Sequence, residues 1–223
     1  MSVVAHCEAV LFDLDGTLID SAPDLAGTAN DLRAARGLPP LAFDLLRPMV
    51  GAGARGMVGV AFGLKPGDDE FIALRDAFLD HYAQRMLRHT QVFDAMLPVL
   101  QRLDEAGVRW GIVTNKVARF TEPIVAGLGL RERIAALVCG DTTPHSKPHP
   151  APLHEAARQL ALSAAQCVYV GDDLRDVVAG RAAGMATLVA LWGYLGDGPS
   201  VHEWGADAVL DTPTALLNWL GLA

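Results

Sequence analysis

Apolar residues along the 223-residue chain fall into two kinds of pattern. Six short, nearly continuous apolar runs recur: "AVLFDLD" (9–15), "RWGIVTN" (109–115), "IAALVCG" (134–140), "CVYVGDD" (167–173), "ATLVAL" (186–191) and "DAVLD" (207–211). Such runs predict strands buried on both faces. Most are separated by stretches with helical spacing and glycine stops, Gly127 and Gly129 in "AGLGL" and Gly184 in "RAAGM". Strands alternating with helices predict an α/β fold, a parallel sheet with helices on both faces.

The gap between the first two runs breaks the rhythm. It holds roughly ninety residues, where a crossover between parallel strands needs about a dozen or somewhat more. "DSAPDLAGTANDLRAARGL" opens on a Ser21–Asp24 pair spaced as a capping box, with Leu25, Ala29 and Leu32 on one face. "DDEFIALRDAFLDHYAQRMLRH" repeats the helical spacing with Phe71, Leu74, Phe78 and Tyr82. Residues 18–89 are therefore expected to form a helical cap, inserted into a core made of residues 1–17 and 90–223. "FDAMLPVLQRLDEAG" is expected to return the chain to the core and to end at Gly107.

Ligands of an open parallel sheet bind beyond the carboxyl ends of its strands. The first run ends in Asp13 and Asp15, the second in Thr114, Asn115 and Lys116. Lys147 follows the third run in "HSKPHP", and the fourth ends in Asp172 and Asp173, with Asp176 one helical turn on. Positions i and i+2 of a strand share a face, so Asp13 and Asp15 are expected side by side, where like charges resist joint ionisation. A metal ion, a shared proton or a transferred phosphoryl group would each justify them. Phosphoryl transfer suits the whole set, because it needs positioning and charge neutralisation above all. A carboxylate can serve as nucleophile, a second as acid and base, and magnesium prefers such oxygen ligands.

Charge narrows the partners. A net charge of −8 gives no basic footprint for nucleic acid, so an anionic substrate must be held by a local positive cluster. Cys7, Cys139 and Cys167 are too few and too scattered for a disulfide framework and are expected as inert core thiols. No stretch has transmembrane length, and "MSVVAHCEAVLFD" lacks the basic start and long apolar run of a signal peptide, which points to the cytoplasm. His145 and His149 flank Lys147 four residues apart, but Pro148 and Pro150 argue against a helical metal pair. "WGYLGDG" is expected as a loop with partial core packing.

In this order, "DLDGT", "VTN", "SKP" and "GDDLRD" resemble the four motifs of the haloacid dehalogenase (HAD) superfamily. The helical insertion after the first motif is similar to that of its phosphoglycolate phosphatase branch. The resemblance implies a Rossmann-like core and a magnesium-dependent phosphomonoesterase. It makes Asp13 the nucleophile and Asp15 the general acid/base. Thr114, Asn115 and Lys147 become phosphate contacts. Mg2+ falls to Asp13, Asp172 and the main-chain carbonyl of Asp15, with Asp173 and Asp176 in support. Arg55, in the glycine-rich "GAGARGMVG", and Arg119 are candidate contacts for a second anion, with 51–59 expected as a flexible loop over the substrate. The branch implies 2-phosphoglycolate. However, "GARGMV", "VTNKVARFTEP", "SKPHPAPL", "VGDDLRDVVAGRAAG" and "WGADAVLD" resemble the phosphatases of N-acetylmuramic acid 6-phosphate, and Val117 stands where many phosphoglycolate phosphatases have proline. A phosphomutase shares all four motifs. A dehalogenase usually lacks the second aspartate. A signalling receiver is shorter and has no insertion. The implied partner is a small phosphorylated metabolite, not nucleic acid or membrane, and the implied assembly a monomer or homodimer.

Overall fold

A computed structural model describes residues 7–196 and 198–223. The chain opens with β1 (Ala9–Phe12), then β2 (Ile19–Asp20) and four helices, α1 (Ala22–Ala34), α2 (Phe43–Leu46), α3 (Gly53–Phe62) and α4 (Phe71–Arg85). After β3 (Gln91–Val92) and α5 (Leu97–Glu105), strand and helix alternate: β4 (Arg109–Val113), α6 (Ala118–Gly127), β5 (Ala136–Val138), α7 (Ala151–Leu160), β6 (Cys167–Gly171) and α8 (Leu174–Ala183). Two more strands, β7 (Ala186–Ala190) and β8 (Ala208–Leu210), precede α9 (Ala215–Leu220). All six predicted runs contain strands, each shorter than its run. They form one parallel sheet of order β5-β4-β1-β6-β7-β8.

β1 lies inside the sheet, with Phe12 paired to Ile112 on one side and Val170 on the other. Its four residues are buried, Val10 and Phe12 in one apolar cluster and Ala9 and Leu11 in another. Helix α7 supplies Leu153, Ala156 and Leu160 to the second cluster. The first continues from α5, α6 and α9 into α1, α3 and α4, where Leu25, Met57, Phe71, Leu74, Phe78 and Tyr82 are buried. The spacing of Phe71, Leu74, Phe78 and Tyr82 thus turns one face of α4 into this cluster. No helix among the described residues is long and apolar enough to cross a membrane.

Three local expectations need correction. Strand β1 stops at Phe12, so Asp13 and Asp15 are not strand neighbours on one face. They sit in a tight turn, where Gly16 has φ +87° and its N–H donates to the Ile19 carbonyl. That φ suits glycine. Second, residues 51–59 are not a flexible loop. Arg47–Ala52 form a 3₁₀ helix, and Gly53 turns the chain into α3 at φ +62°. The run "GAGARGMVG" misled because glycine disfavours helix in isolation, whereas here Met57 and Val58 bury against α1 and α4.

Third, Ser21 and Asp24 do not form a capping box. The Ser21 hydroxyl donates to Asp15 Oδ1 at 2.5 Å. Asp24 is fully buried, and its Oδ2 accepts from His89 N, Thr90 N and Thr90 Oγ1 at 3.0, 2.9 and 2.9 Å. The first amides of α1 are served from far away: Ser21 N and Ala22 N donate to the Tyr194 hydroxyl at 2.9 and 3.0 Å. Asp24 thereby ties the start of the helical segment to its exit, beside the antiparallel pair β2–β3. Replacing Asp24 with alanine strands buried donors, so Asp24→Ala should destabilise the fold by on the order of 2–3 kcal/mol. A urea midpoint unchanged from the parent would show that this clamp carries no stability.

Candidate active site

The strand ends converge on one buried ammonium. Asn115 holds the Lys147 main chain from both sides: its Nδ2 donates to the Lys147 carbonyl and its Oδ1 accepts from Lys147 N, each at 2.9 Å. Lys147 Nζ then lies 2.9 Å from Asp13 Oδ1. It donates to Asp176 Oδ1 and Tyr169 Oη, both at 2.7 Å, and to the Val113 carbonyl at 3.1 Å. The Tyr169 hydroxyl donates on to Val113 O at 2.8 Å. Asn115 also borders the cavity.

The remaining carboxylates have separate supports. Asp172 Oδ1 accepts from Thr17 Oγ1 at 3.0 Å and Oδ2 from Tyr194 N at 2.7 Å. A Cβ on Gly16 would come within 2.3 Å of Asp172 Oδ2, a second reason for glycine there. Asp173 is the N-cap of α8 and Asp176 its third helical residue, in a reciprocal capping box. Asp173 also pairs with Arg175 at 2.7 Å, and Arg175 reaches the Gly51 carbonyl beside α3. Thr114 is buried at the cavity wall, its hydroxyl accepting from Lys116 N at 3.2 Å.

Asp15 faces elsewhere. Lys116 Nζ donates to both its oxygens at 2.8 Å, and Ser21 supplies the third bond. Burial alone would pull the Lys116 ammonium down; the Asp15 carboxylate outweighs it and holds the lysine above its ordinary range. Lys116 was visible only as one polar residue at a strand end. Its partner lies 101 positions away, so no local spacing marked the pair. The same holds for Tyr194, which the loop expectation undervalued: its amide orients Asp172 while its phenol caps α1.

Burial is also the leading electrostatic cause at the centre. It pushes Asp13 up to about 6 against the pull of Lys147, and it raises Asp172 well above the carboxylate range, helped by Asp13 and Asp176. Burial works against the Lys147 ammonium, yet Asp13 and Asp176 raise it overall. Oxygens of Asp13, Asp172 and Asp176 all lie within 4.8 Å of one another. One lysine cannot neutralise three carboxylates. A hard divalent cation fits this all-oxygen donor set. His145 and His149 stack with ring centroids 4.4 Å apart and have no third ligand beside them among the described residues.

These groups border a cavity of about 620 Å³. Its polar floor holds Asp13, Asp15, Thr114, Lys147 and Asp172, and its apolar wall includes Leu25, Phe78, Leu79, Tyr82 and Phe120. Arg55, exposed on α3, and Arg119, on α6, both border it.

The family model of haloacid dehalogenase-like hydrolases matches residues 10–190, which include Asp13, Asp15, Thr114, Lys116, Lys147, Asp172 and Asp176. The chain belongs to that family. It is 48% identical over 210 residues to a phosphoglycolate phosphatase of Xanthomonas campestris pv. campestris, covering 93% of this chain and 94% of the relative. It is 44% identical over 208 residues to an N-acetylmuramic acid 6-phosphate phosphatase of Pseudomonas putida, covering 93% of each. The crystal structure of a predicted phosphoglycolate phosphatase from Haemophilus somnus superposes with a TM-score of 0.84 at 26% identity, covering 96% of this chain and 98% of that one.

The raised Asp13 carboxyl sets a pH dependence. Its folded value of about 6 lies above the ordinary 3.8, so the folded state binds the proton more tightly and stability falls as pH rises through that window. In chelator, the melting temperature should therefore drop between about pH 4 and 6. Magnesium chloride should raise it more at pH 7 than at pH 4.5. An equal melting temperature with and without the cation at pH 7 would exclude cation binding here.

Proposed function

We propose that this protein is a cytoplasmic, magnesium-dependent phosphomonoesterase acting on a small phosphorylated carboxylate. The observation that carries this is the split between two carboxylates two positions apart. Asp13 shares the Lys147 ammonium on the cavity floor, while Asp15 has its own lysine and a hydroxyl. Such a division suits one nucleophile and one acid/base. Three unpaired cysteines fit a reducing compartment.

An oxygen of Asp13 attacks phosphorus and forms an aspartyl-phosphate as the bond to the substrate oxygen breaks. In its protonated form, which the second step regenerates, Asp15 gives that leaving oxygen a proton. Asp15 then takes a proton from water, whose oxygen attacks phosphorus and releases phosphate from Asp13. Lys147 and Thr114 hold phosphoryl oxygens, and Asn115 keeps Lys147 in place. Asp13, Asp172 and the Asp15 carbonyl would hold Mg2+, which when bound offsets the charge gathered around the phosphate. Asp176 orients Lys147, and Asp173 caps α8 while holding Arg175 towards residues 47–62. Residues 18–89 serve as a cap over a core of residues 1–17 and 90–223, and sequester the reaction from water.

The Xanthomonas and Pseudomonas relatives are named for two substrates that both join a phosphate to a carboxylate. A cavity of about 620 Å³ with an apolar wall favours the sugar acid over the two-carbon acid. Arg55 and Arg119 border the same cavity. The deciding measurement is kcat/KM for N-acetylmuramic acid 6-phosphate and 2-phosphoglycolate under one condition, with and without magnesium. We expect the sugar acid to lead by about tenfold or more, equivalent to about 1.4 kcal/mol. A lead for 2-phosphoglycolate would reverse the substrate order. Failure of both beside an unrelated sugar phosphate would overturn the substrate class. Asp13→Asn should abolish phosphoenzyme formation and turnover, and Asp15→Asn should slow turnover at least about a hundredfold. Parent-like rates in either variant would remove that residue from its role.

A further inference from the structure

Lys116 Nζ makes two 2.8 Å bonds to Asp15, and Ser21 Oγ adds a third at 2.5 Å. Both oxygens of the proposed acid/base are thus engaged before substrate arrives. Beyond the ammonium lies the ring of Tyr82, its centroid 5.1 Å from Nζ; the buried Tyr82 hydroxyl has no hydrogen-bond partner among the described residues. Lys116 and Tyr82 both border the cavity that contains Asp13 and Lys147. The lysine backbone is firmly held: its carbonyl accepts from Gly140 N at 2.9 Å and Thr121 Oγ1 at 3.0 Å, and its N–H reaches Thr114 Oγ1. Only the four-carbon stem is free to redirect the charge.

The other cations bordering the cavity are placed differently. Lys147 is enclosed by Asp13 and Asp176, and Arg175 is paired with Asp173. Arg119 stacks on Phe120 with its guanidinium carbon 4.4 Å from the ring centroid, and Arg55 is exposed on α3. Lys116 alone joins the polar floor to the aromatic wall and has a partner that the reaction needs released. A second anionic group on the substrate offers the ammonium a replacement partner. A phosphate ester with a neutral tail offers none.

We infer that Lys116 is the specificity lysine: it binds the substrate's second anion and in doing so frees the Asp15 carboxylate to take up a proton from solvent and turn towards the leaving oxygen. This role presupposes the phosphatase activity proposed above and adds how that activity selects carboxylate-bearing esters. The exchange is unimolecular once substrate is bound. One ion pair breaks as another forms, so the lysine is never left without a partner. A substrate lacking the anion must break the Lys116–Asp15 pair uncompensated, which raises its barrier.

Matched substrate pairs test this. N-acetylmuramic acid 6-phosphate and N-acetylglucosamine 6-phosphate differ in the lactyl ether that carries the carboxylate; 2-phosphoglycolate and ethyl phosphate differ in a carboxylate against a methyl group. In the parent, kcat/KM should favour the carboxylate member of the better-used pair by about tenfold or more. Lys116→Met should shrink that ratio by about tenfold, whatever happens to the absolute rates, and Lys116→Arg should restore part of it. Lys116→Gln keeps a donor for Asp15 and gives the same comparison if the methionine variant does not fold. A fall of equal size for both members, or an unchanged ratio, would overturn the role of Lys116 while leaving the phosphatase intact. If the parent hydrolyses none of the four esters with magnesium present, it is the phosphatase itself that fails, and this role with it.

Discussion

Lys147 Nζ lies within 3.1 Å of oxygens from Asp13, Val113, Tyr169 and Asp176, which leave β1, β4, β6 and α8. Without that ammonium, carboxylates whose oxygens lie within 4.8 Å of one another would lose their shared counter-charge. Removing one partner of a buried ion pair is costly because the other is left desolvated, typically about 3–5 kcal/mol. The arrangement of the strand ends, the capping of α8 and the placing of Asp13 therefore follow from one side chain. The side chain is in turn set by Asn115, which grips its main chain from the neighbouring strand end.

A second lysine answers this one on the other side of the turn. Lys147 serves Asp13 from below, and Lys116 serves Asp15 from the aromatic wall. The tight turn at Gly16 makes the division possible: it lets two carboxylates only two positions apart face different cations. A strand would have kept them together.

The junction between sheet and helical segment is wired into the same centre. Tyr194 donates its amide to Asp172 and receives the first amides of α1 on its hydroxyl, while Trp192 Nε1 donates to the Thr17 carbonyl at 3.0 Å. Arg47, from the 3₁₀ helix, stacks over the Tyr194 ring and donates to the Trp192 carbonyl at 3.1 Å. A movement of the helical segment would therefore be felt at Asp172, and Asp24 confines it by holding Thr90 at the exit.

Periodicity alone determined that six apolar runs form strands and that the long interval after the first is helical, because burial on both faces and burial on one face leave different repeats in a sequence. Strand-end chemistry then marked Asp13, Asp15, Thr114, Lys147 and Asp172, since a parallel sheet brings its carboxyl ends together whatever the helices do. What those residues bond was decided only by the tertiary structure. Ser21 had the spacing of a cap but its hydroxyl donates to Asp15, and the Ser21 and Ala22 amides donate to the Tyr194 hydroxyl, 173 positions from Ser21. The grip of the Asn115 side chain on the Lys147 main chain and the Lys116–Asp15 pair have no local signature at all. Hydrogen bonds and ion pairs are short-ranged in space, and partners far apart in the chain acquire a spacing only when the sheet has formed.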